Sequence, residues 1–192
     1  ASVLPSRPLF ALGGEASAPG GQLSLDDLQV SPSEHDELAY LGLAAALCND
    51  ASLHLHDGVW QVSGDPMEGA LLAFAGKMDV NVRDQQGTWT RTDAVPFDAR
   101  HRFMATLNHD HEHHARAFVK GAPERILAMC ADQFVANNAC EALDSEYWNQ
   151  QAEQIAARGQ RVLAFALRAL PPTQTVLEHA DVEGTLTLLG MV

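Results

Sequence analysis

One short segment, residues 118–124 (FVKGAPE), restricts how this chain can fold. Its apolar, β-prone start brings Lys120 to the end of a strand. Gly121 lets another group approach the backbone closely, and Pro123 followed by Glu124 is typical of the first turn of a helix. This segment therefore combines a strand end, a cation, a glycine with an accessible backbone and the start of a helix. Such a combination favours the binding of an anionic ligand.

Three other motifs fit the same kind of site: residues 64–71 (GDPMEGAL), 96–104 (PFDARHRFM) and 159–166 (GQRVLAFA). In order and spacing, the four motifs resemble the nucleotide-binding domain of P-type cation-transporting ATPases, in the subgroup of calcium and sodium/potassium pumps. The family patterns are G-D-P-T-E-x-A-L, P-F-x-S-x-R-K-x-M, K-G-A-P-E and G-x-R-V-L-A-x-A. The resemblance extends from about residue 38 to the C-terminus.

The residue types suit an adenine nucleotide. Phe97 offers an aromatic plate for the base, where stacking contributes roughly 1–3 kcal/mol, and Met104 can line the slot. Lys120 and Arg102 can meet the phosphates or the purine rim. Arg161 can donate to ribose or phosphate oxygens.

The remaining members of the predicted site have other roles. Glu68 repels phosphates, so we expect it to accept a hydrogen bond from the adenine amino group or to orient an arginine. Gly121 and Ala122 complete the predicted nucleotide-binding set. The resemblance implies that the Glu, Phe, Lys and Arg positions bind the adenosine part of ATP, with Mg²⁺ accompanying the phosphates and not bound in a separate protein cage.

Each residue alone also fits a simpler role. Phe97 could be a core residue, Arg161 a surface charge at a strand end, and Glu68 a first-turn residue favoured by the helix dipole. Their conjunction favours the site. Two positions depart from the family pattern, because Arg102 stands where a lysine is common and Met67 where a threonine is frequent.

Missing motifs limit the predicted chemistry. The chain has no G-x-x-x-x-G-K-[ST] sequence, since Gly76 and Lys77 are followed by Met78. It also has no D-K-T-G-T, the motif that contains the phosphorylated aspartate of P-type pumps. We therefore expect this chain to bind nucleotide without hydrolysing it. The resemblance implies that its parent is an ATP-driven cation pump, whose phosphorylation and membrane domains would be its partners.

The sequence is also compatible with two other functions. The first is a stand-alone metal-dependent hydrolase, built on a loop that is rich in potential ligands. Those ligands are His109, Asp110, His111, Glu112, His113 and His114. Consecutive ligands at a hairpin tip seldom form a closed site, which favours a solvated loop. The second is a non-catalytic interaction domain without a nucleotide site.

Composition narrows the possible partners. The formal charge of −13 over 192 residues argues against nucleic acid and against direct contact with an anionic membrane. The longest apolar run, residues 38–48, is shorter than the roughly 18 residues of a membrane span. We see no signal peptide, and three cysteines without close spacing suit a reducing compartment. These features predict a location on the cytoplasmic side of a membrane.

The pattern of elements predicts an α+β fold: one domain with a mostly antiparallel, twisted β-sheet flanked by helices. Residues 1–30, rich in Ala, Gly, Pro and Ser, are expected to form a loosely ordered segment, and residues 31–192 the nucleotide-binding domain. Ser31 and Glu34 suggest a capping box before a first helix. The other predicted elements are helices at 67–78, at 123–129 and after Asp144, strands at 54–62, 88–92, 103–107, 115–120, 161–170 and 185–192, and a polar turn at 81–87.

Overall fold

A computed structural model of the chain describes residues 2–3 and 9–192. Helices and strands are interspersed along the sequence. The α-helices are α1 (Asp36–Leu47), α2 (Pro66–Lys77), α3 (Val82–Thr88), α4 (Pro123–Met129) and α5 (Ser145–Ala157). The strands are β1 (Ser2–Val3), β2 (Phe10–Leu12), β3 (Leu23–Leu25), β4 (Leu28–Val30), β5 (Ser52–His56), β6 (Val59–Ser63), β7 (Thr90–Asp98), β8 (Phe103–His109), β9 (Ala115–Gly121), β10 (Cys130–Val135), β11 (Ala139–Ala142), β12 (Ala164–Leu170) and β13 (Leu186–Met191).

The largest sheet has seven strands in the order β11-β10-β13-β12-β9-β8-β7. Its neighbours are antiparallel except for β10 and β13, which run parallel. The strands β1–β4 form a second sheet and β5–β6 a separate hairpin. The predicted α+β class with a mostly antiparallel sheet is confirmed. In the described part of the chain, no helix has the length and apolar character needed to cross a membrane.

The large sheet separates two apolar clusters, because alternate residues of a strand face opposite sides. On β8, Phe103 and Leu107 belong to one cluster, together with Trp148 of α5. Met104 belongs to the other cluster, which includes Leu41 of α1 and further residues of α1 and α2. Helices therefore cover both faces of the sheet, as predicted.

Short-range signals predicted several elements correctly. The hairpin of β8 and β9 is present, and α4 has the predicted bounds. The side chain of Asp65 accepts hydrogen bonds from the backbone N–H groups of Met67 and Glu68 at the start of α2. Asp144 accepts from the N–H of Tyr147 at the start of α5. Each of these signals acts within a few residues.

Other predictions were wrong. The polar turn expected at 81–87 is the helix α3, whose Asn81 side chain accepts from the N–H of Asp84. The capping box at Ser31 does not form; its hydroxyl contacts that of Ser33 at 2.7 Å, and α1 begins after His35. Strands β10 and β11 were missed, because their pairing with each other and with β13 gives no short-range periodic signal.

The part of residues 1–30 that the structure describes is more regular than expected. Phe10 on β2 and Leu23 on β3 are buried within the cluster that includes α1. The ammonium group of Lys77 donates to the carbonyl oxygen of Glu15 at 2.6 Å, which joins this segment to α2. Residues 10–30 thus contain three short strands, and burial of Phe10 and Leu23 stabilises their contact with α1. Residues 4–8 lie outside the described residues, and the division at residue 30 stays a prediction.

Candidate functional site

A cleft of about 690 Å³ lies where the ends of β8 and β9 and the segment before β12 meet the first turns of α2 and α4. All eight residues of the predicted set line it: Glu68, Phe97, Arg102, Met104, Lys120, Gly121, Ala122 and Arg161. Its volume is within the range of small-molecule sites, roughly 300–1,000 Å³. Residues separated by up to nearly a hundred positions therefore share one concave surface.

The innermost charged groups are Lys120 and Glu68. The Lys120 ammonium lies 2.5 Å from Oε1 of Glu68, and the side chains are only 6% and 13% exposed. The backbone N–H of Asp50 donates to the second oxygen, Oε2, at 3.2 Å. Glu68 thus orients a lysine, where the sequence suggested an arginine, and both of its oxygens have partners. Its contact with an adenine amino group stays a prediction.

Phe97 stands at the mouth of the cleft on β7, the edge strand of the large sheet. Val95 pairs with Ala105 and Asp98 with Phe103, so the pairing is irregular at Pro96 and Phe97. Such an irregularity redirects side chains, and a proline is tolerated in an edge strand because it has no N–H to donate. Phe97 is 62% exposed, which excludes the core role for this ring.

Gly121 forms the floor of the cleft next to the start of β8. A Cβ atom there would lie 2.4 Å from the carbonyl oxygen of Arg102 and 2.9 Å from Cα of Phe103. Glycine is therefore required at this position because the neighbouring strand comes close to its backbone. The close approach of a ligand, which the sequence suggested, is not needed to explain the glycine. The N–H of Ala122 donates to the same Arg102 carbonyl at 3.1 Å, which fixes the start of α4.

The two arginines differ in their partners. Arg102 has a positive φ of 57°, and its guanidinium lies 2.5 Å from the exposed carboxylate of Glu124. Arg161 is exposed and precedes β12, which begins at Ala164 and not at residue 161 as predicted. Within residues 2–3 and 9–192, the Arg161 side chain has no ion pair or hydrogen bond. In that part of the chain, Arg161 is therefore the cleft cation that is free to meet an anion.

Sequence reasoning did not predict a role for two residues next to the cleft, Asn49 and Cys48. The Asn49 amide donates to the carbonyl oxygens of Ala45 and Glu68, at 3.1 and 2.9 Å, and its Oδ1 accepts from the N–H of Ala51 at 2.9 Å. It thereby joins the end of α1 to the first turn of α2. Burial raises the pKa of the Cys48 thiol to about 11, so this cysteine is a neutral packing residue and not a nucleophile. The segment Cys48-Asn49-Asp50 also resembles the N domain of P-type ATPases, and this likeness is the sequence signal that could have identified both residues.

The histidine loop is remote from the cleft. Phe103 pairs with Gly121 at the cleft end of the β8–β9 hairpin, and His109 pairs with Ala115 at the opposite end. Six residue steps of roughly 3.3 Å separate these pairs, which is about 20 Å. The predicted nucleotide-binding residues and the potential metal ligands therefore lie at opposite ends of this hairpin.

Comparison with known proteins agrees with the four motifs. Residues 37–192 match the family model of the P-type ATPase, cytoplasmic domain N. The chain is 35% identical over 150 residues to "Cation-transporting ATPase pma1" of Synechocystis, a match that covers 78% of this chain and 16% of that protein. It is 35% identical over 167 residues to "Probable cation-transporting ATPase F" of Mycobacterium tuberculosis, covering 86% and 18%.

A third relative, "Calcium-transporting ATPase" of Bacillus subtilis, is 27% identical over 187 residues, covering 95% of this chain and 21% of that protein. The matches thus span about a fifth of the length of these relatives. Because the family model matches residues 37–192, which is most of the chain, this chain belongs to the family of P-type ATPase cytoplasmic N domains.

Proposed function

We propose that this domain binds ATP by its adenosine end. The observation that supports this most strongly is the shared cleft, which brings together an exposed aromatic ring, a buried lysine and an arginine without a side-chain partner among the described residues. An apolar wall with a few polar groups is the usual form of a nucleotide or cofactor site. The cleft has these features although the chain as a whole has a charge of −13.

In this proposal the purine stacks on Phe97 and lies against Met104. Lys120, already held by Glu68, meets the rim of the base, and Arg161 and Arg102 meet ribose or phosphate oxygens. Mg²⁺ would come with the phosphates, since it keeps several waters and binds through few protein ligands. The matching family residues, as the motifs imply, have these same roles.

The wider role of the parent protein is also a proposal. The relatives that the chain matches are named cation- or calcium-transporting ATPases, and the matches cover about a fifth of their length. We infer that this domain holds ATP on the cytoplasmic side of a membrane for transfer of the γ-phosphate to an aspartate in a phosphorylation domain. That transfer would drive cation movement through a membrane domain. The chain contains no D-K-T-G-T, so the isolated domain binds ATP without hydrolysing it.

The affinity of the isolated domain should be weak, because it contacts only part of the ligand. We expect a Kd on the order of 0.1 to several mM, which corresponds to a binding free energy of about 3–5.5 kcal/mol. An NMR titration with ATP tests this, and shifts should centre on Glu68, Phe97, Lys120 and Arg161.

Phe97→Ala isolates the stacking plate. Loss of roughly 1–3 kcal/mol of stacking corresponds to a Kd about 5- to 140-fold higher. Leu55→Ala is the matched control, because Leu55 is similarly exposed (59%) but lies on β5, away from the cleft. ATP binding that is equally strong in Phe97→Ala and in the parent would show that the plate is wrong. A parent domain with no ATP response at all would favour an interaction domain.

A further inference from the structure

The turn between β8 and β9 contains a cluster that the nucleotide site does not use. One potential ligand atom each from Asp110, Glu112 and His114 lies within 4.8 Å of the others. Among the His, Cys, Asp and Glu residues of the described ranges, this is the only group of three or more that converges in this way. We propose that this turn binds one divalent transition-metal ion of the zinc type.

Asp110 is held in place before any ion arrives. Its Oδ1 accepts from the backbone N–H groups of Glu112 and His114 at 2.9 and 2.8 Å. The N–H of Asp110 donates to the carbonyl oxygen of His114 at 3.1 Å, which closes the turn. The Asp110 side chain is only 10% exposed. These bonds fix the position of Asp110, and its Oδ2 faces the other two residues, where it forms a hydrogen bond with Nδ1 of His114 that the ion would replace.

The other two ligands are within reach of the same point. Nδ1 of His114 lies 2.8 Å from Oδ2 of Asp110 and 4.0 Å from Oε2 of Glu112. An ion with bonds of about 2.0–2.2 Å separates its ligands by roughly 3–4 Å, so it fits after a small adjustment. Glu112 can make that adjustment, because its side chain is 83% exposed.

The donor set selects the class of ion. Two carboxylates and one imidazole suit Zn²⁺, Co²⁺ or Ni²⁺, whereas Mg²⁺ and Ca²⁺ prefer oxygen ligands alone. Three protein ligands leave a fourth position for water. The site lies about 20 Å along the hairpin from the cleft, so it is distinct from the Mg²⁺ that would accompany ATP.

Calorimetric titration of the untagged full chain with ZnCl₂ tests the proposal, in the absence and presence of millimolar MgCl₂. We expect one ion per chain, no competition by Mg²⁺, and a rise in Tm with Zn²⁺ concentration, because the ion binds the folded turn. The double variant Glu112→Gln/His114→Asn should raise the Kd at least about tenfold. The amide that His114→Asn introduces can still donate to Asp110, so the turn should remain closed.

Two controls separate this trio from other histidines. His56→Asn removes a histidine that lies 3.7 Å from Asp57 in the turn between β5 and β6, a similar setting without a third ligand. His111→Asn/His113→Asn removes the two neighbouring loop histidines. Both controls should keep one-site Zn²⁺ binding. Absence of binding by the parent chain would overturn the proposal, as would binding that survives Glu112→Gln/His114→Asn but disappears in His111→Asn/His113→Asn.

Discussion

The ion pair of Glu68 and Lys120 provides the sharpest test of the cleft as described. Both side chains are nearly buried and their charged atoms are 2.5 Å apart. Removing one member of such a pair leaves a charge in a poorly solvated place, which typically costs 3–5 kcal/mol. Lys120→Met should be at the lower end, roughly 3 kcal/mol, because Glu68 keeps its hydrogen bond from Asp50. Glu68→Gln should cost less, roughly 1.5 kcal/mol, since an amide oxygen can still accept.

The double variant Glu68→Gln/Lys120→Met should be much milder than the sum of the two changes. No charge is stranded in it, so we expect a loss of roughly 2 kcal/mol and a coupling energy of about 2.5 kcal/mol. The assay is urea unfolding of the four proteins, with free energies compared only if their m values agree. Effects that add within about 0.5 kcal/mol would refute the reasoning that these charges depend on each other.

A second ion pair, of which Arg102 lines the same cleft, serves as the matched control. Arg102 and Glu124 are also 2.5 Å apart, but their side chains are 52% and 55% exposed. Solvent and salt screen such a pair, so Arg102→Met and Glu124→Gln should couple by less than about 1 kcal/mol. Because the charged atoms are equally far apart in both pairs, the difference between the two coupling energies reports the effect of burial and not of distance.

The remaining predictions concern packing and thiol reactivity. Gly121→Ala should lower the free energy of unfolding by roughly 2–3 kcal/mol, because the added Cβ meets backbone atoms next to and within β8. Gly87→Ala is the control and should be neutral or stabilising, because nothing lies within 4 Å of the added Cβ. Equal Tm values for the two variants would contradict this reasoning. Burial raises the pKa of Cys48 to about 11; the pKa of Cys140 is also raised, but Cys140 is exposed to solvent and Cys48 is not. Ellman's reagent at about pH 8 should therefore modify Cys140 in the folded chain and reach Cys48 only on unfolding; rapid labelling of both would contradict the buried thiol.

Local chemistry made part of this fold predictable. The cap at Asp65 and the helix start at Pro123 act on the next turn of the chain, so their effects are visible in sequence. By contrast, α3 buries none of its residues and has no apolar stripe to reveal it. The strands β10 and β11 depend on pairing, and β13, the parallel partner of β10, comes much later in the chain. Hydrogen bonds to a distant strand leave no periodic pattern in the segment itself.

The candidate site divides in the same way. Sequence by itself determined which residue types line the cleft, because motif and chemistry identify Phe97, Lys120 and Arg161 without coordinates. Only the tertiary structure decided the exposure and the partners of these side chains. The Phe97 ring is exposed, Lys120 forms an ion pair with Glu68, and Arg161 has no side-chain partner among the described residues. Glu68 and Lys120 are 52 positions apart in the chain. Electrostatic pairing acts through space and depends on burial, so it is set by the packing of α2 against the sheet and not by the order of the residues.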